Sequence, residues 1–360
     1  MTAANLRMKA FPMRWRVLTP FTFTPEASWI PAEIASTCHS FVMVPATYRH
    51  DGSRPTTTGP QWLSYLRHVA RARLGYRGEG YITCFPQLAV CAGLLKRLTG
   101  SRAPLVAWCF NLSRTFDGLR GALARFCLRS VDVFVVHSRK EIATYAQWLR
   151  IPRERFVFVP LSIELRSGSV KRPAEPFLLA MGSANRDYAT LIEAVRPLGV
   201  RTIVVAGQHA VDSLHIPDCV ELRSGLSRQE CHSLAETAAI SVVPIADATA
   251  ASGQSTALEA MMFATCLIAT RCAGLEDYVE DGRTGVLVPA RDANALREAI
   301  RRLWADPAGR SEIGANARAF ILSSCTFASV APRMLQILDR LASRGDGGEP
   351  NLKEVGAAGD

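Results

Sequence analysis

The segment from Ile240 to Leu296 holds the residues of this chain that are best suited to bind a ligand. An apolar run typical of a buried strand, Ile240 to Pro244, leads into a polar loop, and a helix begins directly after it. The loop and the helix start contain Gly253, Gln254, Ser255 and Thr256. A helix that begins in this way presents free backbone N–H groups and the positive end of its dipole, which together suit a phosphate group. The sequence therefore predicts an anion-binding loop.

A single carboxylate follows this loop. Glu259 is the only charged residue between Thr256 and Thr270. A carboxylate in an apolar run is costly unless hydrogen-bond donors satisfy it, so we expect Glu259 to accept hydrogen bonds from a ligand hydroxyl close to the phosphate groups. The alternative is an ordinary strand–loop–helix unit in which Glu259 is solvated.

The order of residues around Glu259 resembles the nucleotide-sugar signature of the family 4 glycosyltransferases. The family's LEAM is matched by Leu258 to Met261, and an apolar strand, Leu267 to Thr270, follows it. The family's continuation, GG-x-E-x-V-x-D-G-x-T-G-x-L-V-P, is similar to Ala273 to Pro289, which reads AGLEDYVEDGRTGVLVP. The resemblance implies a retaining glycosyltransferase of the GT-B architecture with a nucleoside-diphosphate-sugar donor.

The resemblance also implies roles for individual residues. Glu259 corresponds to the motif Glu that binds the ribose, and the amides of Gly253 to Thr256 correspond to the loop that binds the diphosphate. The stretch Phe177 to Ala194 resembles the first strand and loop of the family's donor domain, where Gly-Arg and then Lys-Gly place two cations on the diphosphate. Gly182 matches this pattern, and Arg186 stands where the Lys is expected. We therefore expect Arg186 to stabilise the leaving group, the alternative being a solvated loop arginine.

Several positions depart from the family pattern. Ala251 stands where the first motif Glu would contact the donor sugar, Ser183 replaces the first cation, and Phe110 occupies the place of an active-site His. The stretch from Thr19 to Pro31 lacks the expected glycines. No catalytic base can be named, because His137 and His209 are each better explained as hydrogen-bonded structural histidines.

The sugar transfer that the resemblance implies requires few catalytic side chains. In the usual proposal for retaining members of the family, the departing diphosphate itself takes the proton of the acceptor. No two aspartates of this chain form a D-x-D pair, which argues against a metal bridge to the diphosphate. We therefore expect no metal and no cofactor apart from the nucleotide-sugar co-substrate.

Strands and helices alternate along the whole chain, a pattern typical of parallel sheets covered by helices. A chain of 360 residues exceeds what one core usually covers. We therefore expect an α/β protein with two Rossmann-like domains facing a central cleft. Residues 1–160 would form a basic acceptor domain and residues 161–325 the nucleotide-sugar domain. Residues 326–342 would form a helix that could return to the first domain, and residues 343–360 a disordered tail.

The predicted strands are Arg16 to Leu18, Phe41 to Val44, Tyr81 to Cys84, Leu105 to Phe110, Val131 to Val136, Phe156 to Val159, Phe177 to Met181, Thr202 to Ala206, Val220 to Leu222, Ile240 to Pro244 and Cys266 to Thr270. The ten cysteines show no C-x-x-C spacing and there is no apolar run of membrane-span length. These features are typical of a cytoplasmic enzyme with reduced thiols.

Charge is divided unevenly along the chain. Residues 1–160 hold 22 Lys and Arg against 8 Asp and Glu, whereas the whole chain has a net charge of +10. Such asymmetry predicts an anionic partner for the first half. No nucleic-acid-binding signature is present, so we expect an anionic phospholipid surface at the inner face of the cell membrane and a lipid-linked or polysaccharide-precursor acceptor.

The segment from Gln61 to Arg77 could form an interfacial helix, with Arg67, Arg71, Arg73 and Arg77 opposite its apolar residues. The alternative is an Arg-rich helix that packs on its own domain. Two other functions stay open for the whole chain. One is a sugar-nucleotide epimerase, and the other is a non-catalytic relative that binds a nucleotide sugar or a membrane partner.

Overall fold

The computed structural model describes residues 12–20, 39–48, 57–72, 78–112, 114–166 and 175–343. The chain divides into two compact units. The first comprises Met1–Val159 together with Val330–Asp360, and the second comprises Pro160–Ser329. Each unit contains a six-stranded sheet, and within the described residues neighbouring strands of both sheets pair in parallel.

The sheet of the first unit has the order β2-β1-β3-β4-β5-β6. Its strands are β1 (Arg14–Leu18), β2 (Ser40–Val44), β3 (Glu79–Cys84), β4 (Leu105–Trp108), β5 (Val133–Val136) and β6 (Phe156–Phe158). The helices between them are α1 (Gly59–Arg71), α2 (Pro86–Thr99), α3 (Gly118–Leu128) and α4 (Arg139–Leu149). The central strands are buried along their whole length because both faces of the sheet are covered.

The sheet of the second unit has the order β12-β11-β10-β7-β8-β9. Its strands are β7 (Leu178–Met181), β8 (Thr202–Val205), β9 (Val220–Arg223), β10 (Ile240–Val243), β11 (Cys266–Thr270) and β12 (Val286–Val288). Its helices are α5 (Tyr188–Val195), α6 (Arg228–Thr237), α7 (Gln254–Met262), α8 (Ala293–Trp304) and α9 (Pro307–Ser324). Counted from β7, this is the doubly wound order 3-2-1-4-5-6, and the direction of winding reverses between β7 and β10.

The last helix, α10 (Phe327–Ser343), contributes to the core of the first unit. Its side chains Val330, Met334 and Leu338 are buried in one cluster with Trp15 and Val17 of β1. Thr326 and Ser329 exchange hydrogen bonds at the start of the helix, where the backbone N–H groups lack partners within the helix itself. The predicted disordered tail lies outside the described residues, apart from Ser343.

The α/β fold predicted from the sequence is confirmed, with small differences at strand ends. The strand predicted from Leu105 to Phe110 ends at Trp108. The chain leaves the sheet there because Cys109 adopts a φ of +51°, a left-handed conformation that a strand cannot continue. Strand β12 was not predicted. None of the helices described is long and apolar enough to cross a bilayer.

Candidate functional site

The predicted site residues of the second unit lie at the switch point of its sheet. Residues 182–187 follow β7 and residues 244–253 follow β10, and these two strands are hydrogen-bonded neighbours. The carboxyl ends of parallel strands meet at one edge of a sheet. Ligands of doubly wound sheets bind outside that edge, at the point where the winding reverses. The topology therefore brings the two predicted motifs together.

The Arg186 side chain joins the two loops. Its Nε donates to the carbonyl oxygen of Met181 at 3.0 Å, and its Nη1 donates to that of Ala184 at 2.9 Å. Its Nη2 donates to Oγ1 of Thr256 in the first turn of α7, at 3.0 Å. Gly182 is necessary for this arrangement, because a Cβ at that position would lie 2.7 Å from Nη2 of Arg186. Gly182 also has a φ of +106°, which disfavours any other residue.

The half-buried guanidinium of Arg186 carries a positive charge beside the start of α7. Burial lowers the pKa of Arg186, but an arginine stays protonated at neutral pH. Among the residues that the structure describes, no carboxylate forms an ion pair with it. A cation at a helix N-terminus is also repelled by the positive end of the helix dipole. An anion bound beside Arg186 and α7 would relieve both effects.

The start of α7 is shaped by Gly253. This residue is the N-cap of the helix and has a φ of +87°, and a Cβ there would lie 3.0 Å from side-chain atoms of Val243 and Ile245. Because glycine has no side chain, the N-cap residue itself offers no capping group to the first-turn N–H groups. Gln254 is buried, Ser255 is exposed, and Thr256 is half-buried with its hydroxyl on Arg186.

Asn185 connects the two loops, and sequence reasoning missed it. Its Nδ2 donates to Oγ of Ser252 at 2.8 Å and to the carbonyl oxygen of Asp247 at 3.2 Å. Its Oδ1 accepts from the N–H of Asp247 at 2.9 Å. Asn185 has a φ of +53°, a conformation that asparagine adopts more readily than most residues. An Asn in the loop after a strand was the available signal, but its partners are more than sixty residues away.

Gly274 packs closely against the backbone of the loop before α7. A Cβ at this position would lie 2.5 Å from the backbone nitrogen of Ser252 and 2.6 Å from its carbonyl oxygen. The neighbouring N–H of Ala273 donates to the carbonyl oxygen of Ala248 at 2.9 Å. The Gly of the sequence motif therefore serves close packing between two backbones rather than a turn with positive φ.

Glu259 lies on α7 and its carboxylate is partly exposed. The side chain of His232 on α6 lies next to it, with Nε2 3.5 Å from Oε1 of Glu259. His232 is buried, and neither of its ring nitrogens has a hydrogen-bond partner among the residues described. Burial and the nearby charge of Glu259 raise the pKa of the adjacent Cys231 thiol. His232 was not singled out from the sequence, where nothing connects it with Glu259.

The positions that depart from the family pattern have structural explanations. Phe110 is fully buried, with its ring centroid 4.8 Å from that of Phe134 and 5.4 Å from that of Tyr145. Ser183 accepts a hydrogen bond from the N–H of Gly207 at 2.7 Å, and Ala251 is buried. Phe110 is thus a core residue and cannot replace a catalytic His.

His137 is a structural histidine of the first unit. Its Nδ1 lies 2.7 Å from the carbonyl oxygen of Val159, and its Nε2 lies 3.3 Å from Sγ of Cys109. Burial lowers the pKa of His137 to about 4, so the ring is neutral at physiological pH. In the part of the chain that the structure describes, no three His, Cys, Asp or Glu side chains cluster as a metal site would require.

Comparisons with known proteins match part of the second unit to a protein family. Residues 175–306 match the family model described as "Glycosyl transferases group 1". The D-inositol 3-phosphate glycosyltransferase of Corynebacterium urealyticum is 29% identical over 167 residues, which is 42% of this chain and 37% of that protein. The chain thus spans well under half the length of that relative. The group 1 match covers Gly182, Arg186, the start of α7 and Glu259, so the predicted glycosyltransferase motifs lie in the matched domain.

Solved structures are similar over most of the chain. Sucrose-phosphate synthase from Thermosynechococcus elongatus has a TM-score of 0.71 at 18% identity and covers 92% of this chain and 100% of its own. The Anabaena protein HepE, in complex with UDP-glucose, has a TM-score of 0.67 at 16% identity and covers 91% of this chain and 99% of its own. These likenesses confirm the fold with two Rossmann-like units.

Proposed function

We propose that this protein is a glycosyltransferase that moves a sugar from a nucleoside-diphosphate-sugar donor to an acceptor hydroxyl. The observation that carries the proposal is Arg186, a cation without a carboxylate partner among the described residues, hydrogen-bonded to the first turn of α7. A diphosphate supplies the missing negative charge and accepts hydrogen bonds from the first-turn amides of α7. The similarity to a structure in complex with UDP-glucose supports a donor of this class.

The proposed reaction requires little acid–base chemistry from the protein. The bond between the anomeric carbon and the diphosphate oxygen breaks, and a bond from the acceptor oxygen to the same carbon forms on the same face of the sugar. The proton of the acceptor hydroxyl moves to the departing diphosphate. Arg186 and the amides of residues 253–256 stabilise the charge that grows on the leaving group. Glu259 orients the donor through the ribose hydroxyls. Within this proposal neither a metal nor a further cofactor is needed.

The basic first half of the chain points to the acceptor. Its net charge of +14, from 22 basic and 8 acidic residues in positions 1–160, favours an anionic acceptor or an anionic surface on which the acceptor is presented. We propose a lipid-linked or polysaccharide precursor at the inner face of a membrane. A soluble acceptor is the alternative if the protein does not bind anionic vesicles.

A non-catalytic nucleotide-sugar-binding protein is the second candidate. Its support comes from Ala251 and Phe110, which stand where the family carries a sugar-binding Glu and an active-site His. Ala251 is buried and Phe110 belongs to the hydrophobic core, so neither position offers a polar group to a substrate. Binding of the donor without turnover would favour this candidate.

The test has a binding step and a turnover step. Thermal shift and calorimetry with UDP, GDP, ADP and their glucose conjugates should identify one nucleotide that stabilises the protein. A ligand at 100 times its dissociation constant adds about 2.7 kcal/mol to the free energy of unfolding. Release of that nucleotide from its sugar conjugate, with and without added lipid-linked acceptors and in the presence of EDTA, then separates transfer from epimerisation and simple binding. Failure of every nucleotide to bind would refute the proposal.

A further inference from the structure

Helix α3 exposes three large apolar side chains on its surface. Leu119, Leu123 and Phe126 are 90%, 59% and 48% exposed, and Ala122 between them is exposed as well. These residues have the spacing i, i+3, i+4 and i+7, which places them on one face of the helix. A helix on the surface of a globular protein normally turns such a face inward. We call these four residues, together with Leu98 at the end of α2, the α3 stripe.

Close contacts at two glycines hold α3 against α2 and against the segment that precedes α3. A Cβ on Gly93 of α2 would lie 2.2 Å from the carbonyl oxygen of Cys127. A Cβ on Gly121 would lie 2.1 Å from the carbonyl oxygen of Phe116. Oγ of Ser130 donates to the carbonyl oxygens of Gly93 and Cys127, which fastens the end of α3 to α2. This close packing fixes the rotation of α3, so the outward direction of the stripe is a property of the fold.

The rim of the stripe is basic. The guanidinium of Arg97 lies over the ring of Phe126, 4.5 Å from its centroid, and Leu98 beside it is 71% exposed. Arg102 and Arg120 are also exposed, and they are close in sequence to Leu98 and Leu119 of the stripe. From Leu94 to Arg129 the chain has six Arg, one Lys and a single acidic residue, Asp117. Lys96 forms an ion pair with Asp132 just beyond this stretch, so the basic excess comes from the arginines.

Helix α1, the interfacial helix expected from the sequence, has a different arrangement. Its residues Tyr65 and Val69 are buried, and Leu66 packs against the core of the first unit. Arg71 donates to the carbonyl oxygen of Pro45 at 2.8 Å. Trp62, Leu63 and Ala70 are exposed, so only part of the apolar face of α1 is free and the rest covers its own domain. Arg73 and Arg77 lie outside the described residues.

We propose that the α3 stripe is a membrane-docking surface that inserts its Leu and Phe side chains among the headgroups of an anionic phospholipid bilayer. Helices with an apolar face of Leu and Phe and a Lys/Arg rim bind at such interfaces. A second copy of the chain is a poor occupant, because two-fold symmetry would bring identical arginine rims together. Membrane binding by the stripe does not depend on the proposed function. Only its purpose, which is to bring the enzyme to a lipid-linked acceptor, rests on that function.

The experiment measures co-sedimentation of the purified full-length protein with phosphatidylcholine vesicles, with and without phosphatidylglycerol. The variant that carries Leu119→Ser, Leu123→Ser and Phe126→Ser should lose at least tenfold in partitioning to anionic vesicles. Leu322→Ser is the matched control, since Leu322 is also exposed, at 47%, but lies in α9 of the other unit. This control should bind like the wild type. Arg97→Gln and Arg120→Gln should each reduce binding about fivefold at low salt, and less as salt screens the attraction.

The outcomes separate this inference from the proposed function. Nucleotide affinity should be unchanged in every variant, because the stripe and the nucleotide motifs belong to different units. If the wild type binds no anionic vesicles, or the triple variant binds as well as the wild type, the inference is wrong while nucleotide binding stands. If the wild type is a dimer that the triple variant dissociates, the stripe is an interface between copies and the lipid assignment falls. If vesicles bind but no nucleotide does, the proposed function fails and the docking surface stands.

Discussion

At the scale of single residues, Arg186 is the side chain whose environment most clearly favours binding of an anionic ligand. Its hydrogen bonds to Met181, Ala184 and Thr256 fix the guanidinium, while no carboxylate of the described residues compensates its charge. A group fixed before the ligand arrives can stabilise charge as it develops on the leaving diphosphate, without reorganisation during the reaction.

We predict that Arg186→Ala lowers kcat about 100-fold at saturating donor and weakens nucleotide binding much less, because the charge on the leaving group is greatest in the transition state. Arg186→Lys should restore only part of the rate, since an ammonium cannot reproduce the planar three-oxygen contact. Steady-state kinetics with the nucleotide identified by calorimetry tests this. Wild-type kcat in Arg186→Ala would remove Arg186 from the mechanism.

Glu259 leads to a prediction about which part of the donor is recognised. If its carboxylate accepts hydrogen bonds from ribose hydroxyls, Glu259→Gln should weaken nucleoside-diphosphate binding about tenfold or more, because hydrogen bonds to a charged group contribute about 1.5–3 kcal/mol. Inorganic diphosphate has no ribose, so its affinity should not change. Calorimetry with both ligands makes the comparison. Equal losses for the two would indicate that Glu259 acts on the diphosphate or on the fold instead.

At the scale of elements, the site depends on how tightly three loops pack at the carboxyl edge of the second sheet. Asn185 joins the loop after β7 to the loop after β10, and Gly274 supports the latter from the loop after β11. These contacts hold the loop that leads into α7 in place.

We predict that Gly274→Ala weakens nucleotide binding and lowers the unfolding temperature, because the new Cβ would overlap the backbone of Ser252 at 2.5 Å. The loop before α7 would have to move to relieve the contact. Gly59→Ala is the control, since a Cβ on Gly59 meets nothing within 4 Å and its backbone is already helical. Calorimetry and thermal unfolding of both variants decide the question. Unchanged affinity in Gly274→Ala would mean that the loop tolerates the shift.

The elements themselves were largely predictable from the sequence. Strand β11, Cys266–Thr270, has the predicted bounds because it is an apolar run between clear breaks. Strand β12 (Val286–Val288) escaped prediction because three residues are too few to show a period. Arg186 and Glu259 were predicted as site residues because the short motifs around them resemble those of the family. Asn185 and His232 could not be found in this way, because their partners are brought close only by the folded sheet and helices.

At the scale of the whole molecule, the two units are built from the same kind of sheet but have different chemistry. The matched glycosyltransferase segment, residues 175–306, lies within the second unit. The basic excess and the α3 stripe belong to the first. This division predicts that changes in surface charge of the first unit alter membrane and acceptor binding without changing nucleotide affinity.

The first unit should also lose stability in mild acid, because it buries a neutral histidine. Burial lowers the pKa of His137 from 6.5 to about 4, and burial also lowers the pKa of His68 in the same unit. The unfolded chain therefore binds protons more readily than the folded chain below pH 6.5. The stability that His137 contributes is fully present above that pH and is lost progressively as the pH falls towards 4.

By pH 5 the loss from His137 should be about 2 kcal/mol in the free energy of unfolding. Denaturant unfolding at pH 7.5 and pH 5 is followed by tryptophan fluorescence in a Trp304→Phe background, because Trp304 is the one tryptophan of the sequence that belongs to the second unit. The remaining signal reports on the first unit, where the indoles of Trp15 and Trp108 are buried. His137→Gln cannot titrate and keeps an amide N–H that can donate to the carbonyl oxygen of Val159. Its free energy of unfolding should fall less between the two pH values than that of the wild type, leaving the smaller contribution of His68. If both proteins lose the same stability, the acid sensitivity comes from groups other than His137.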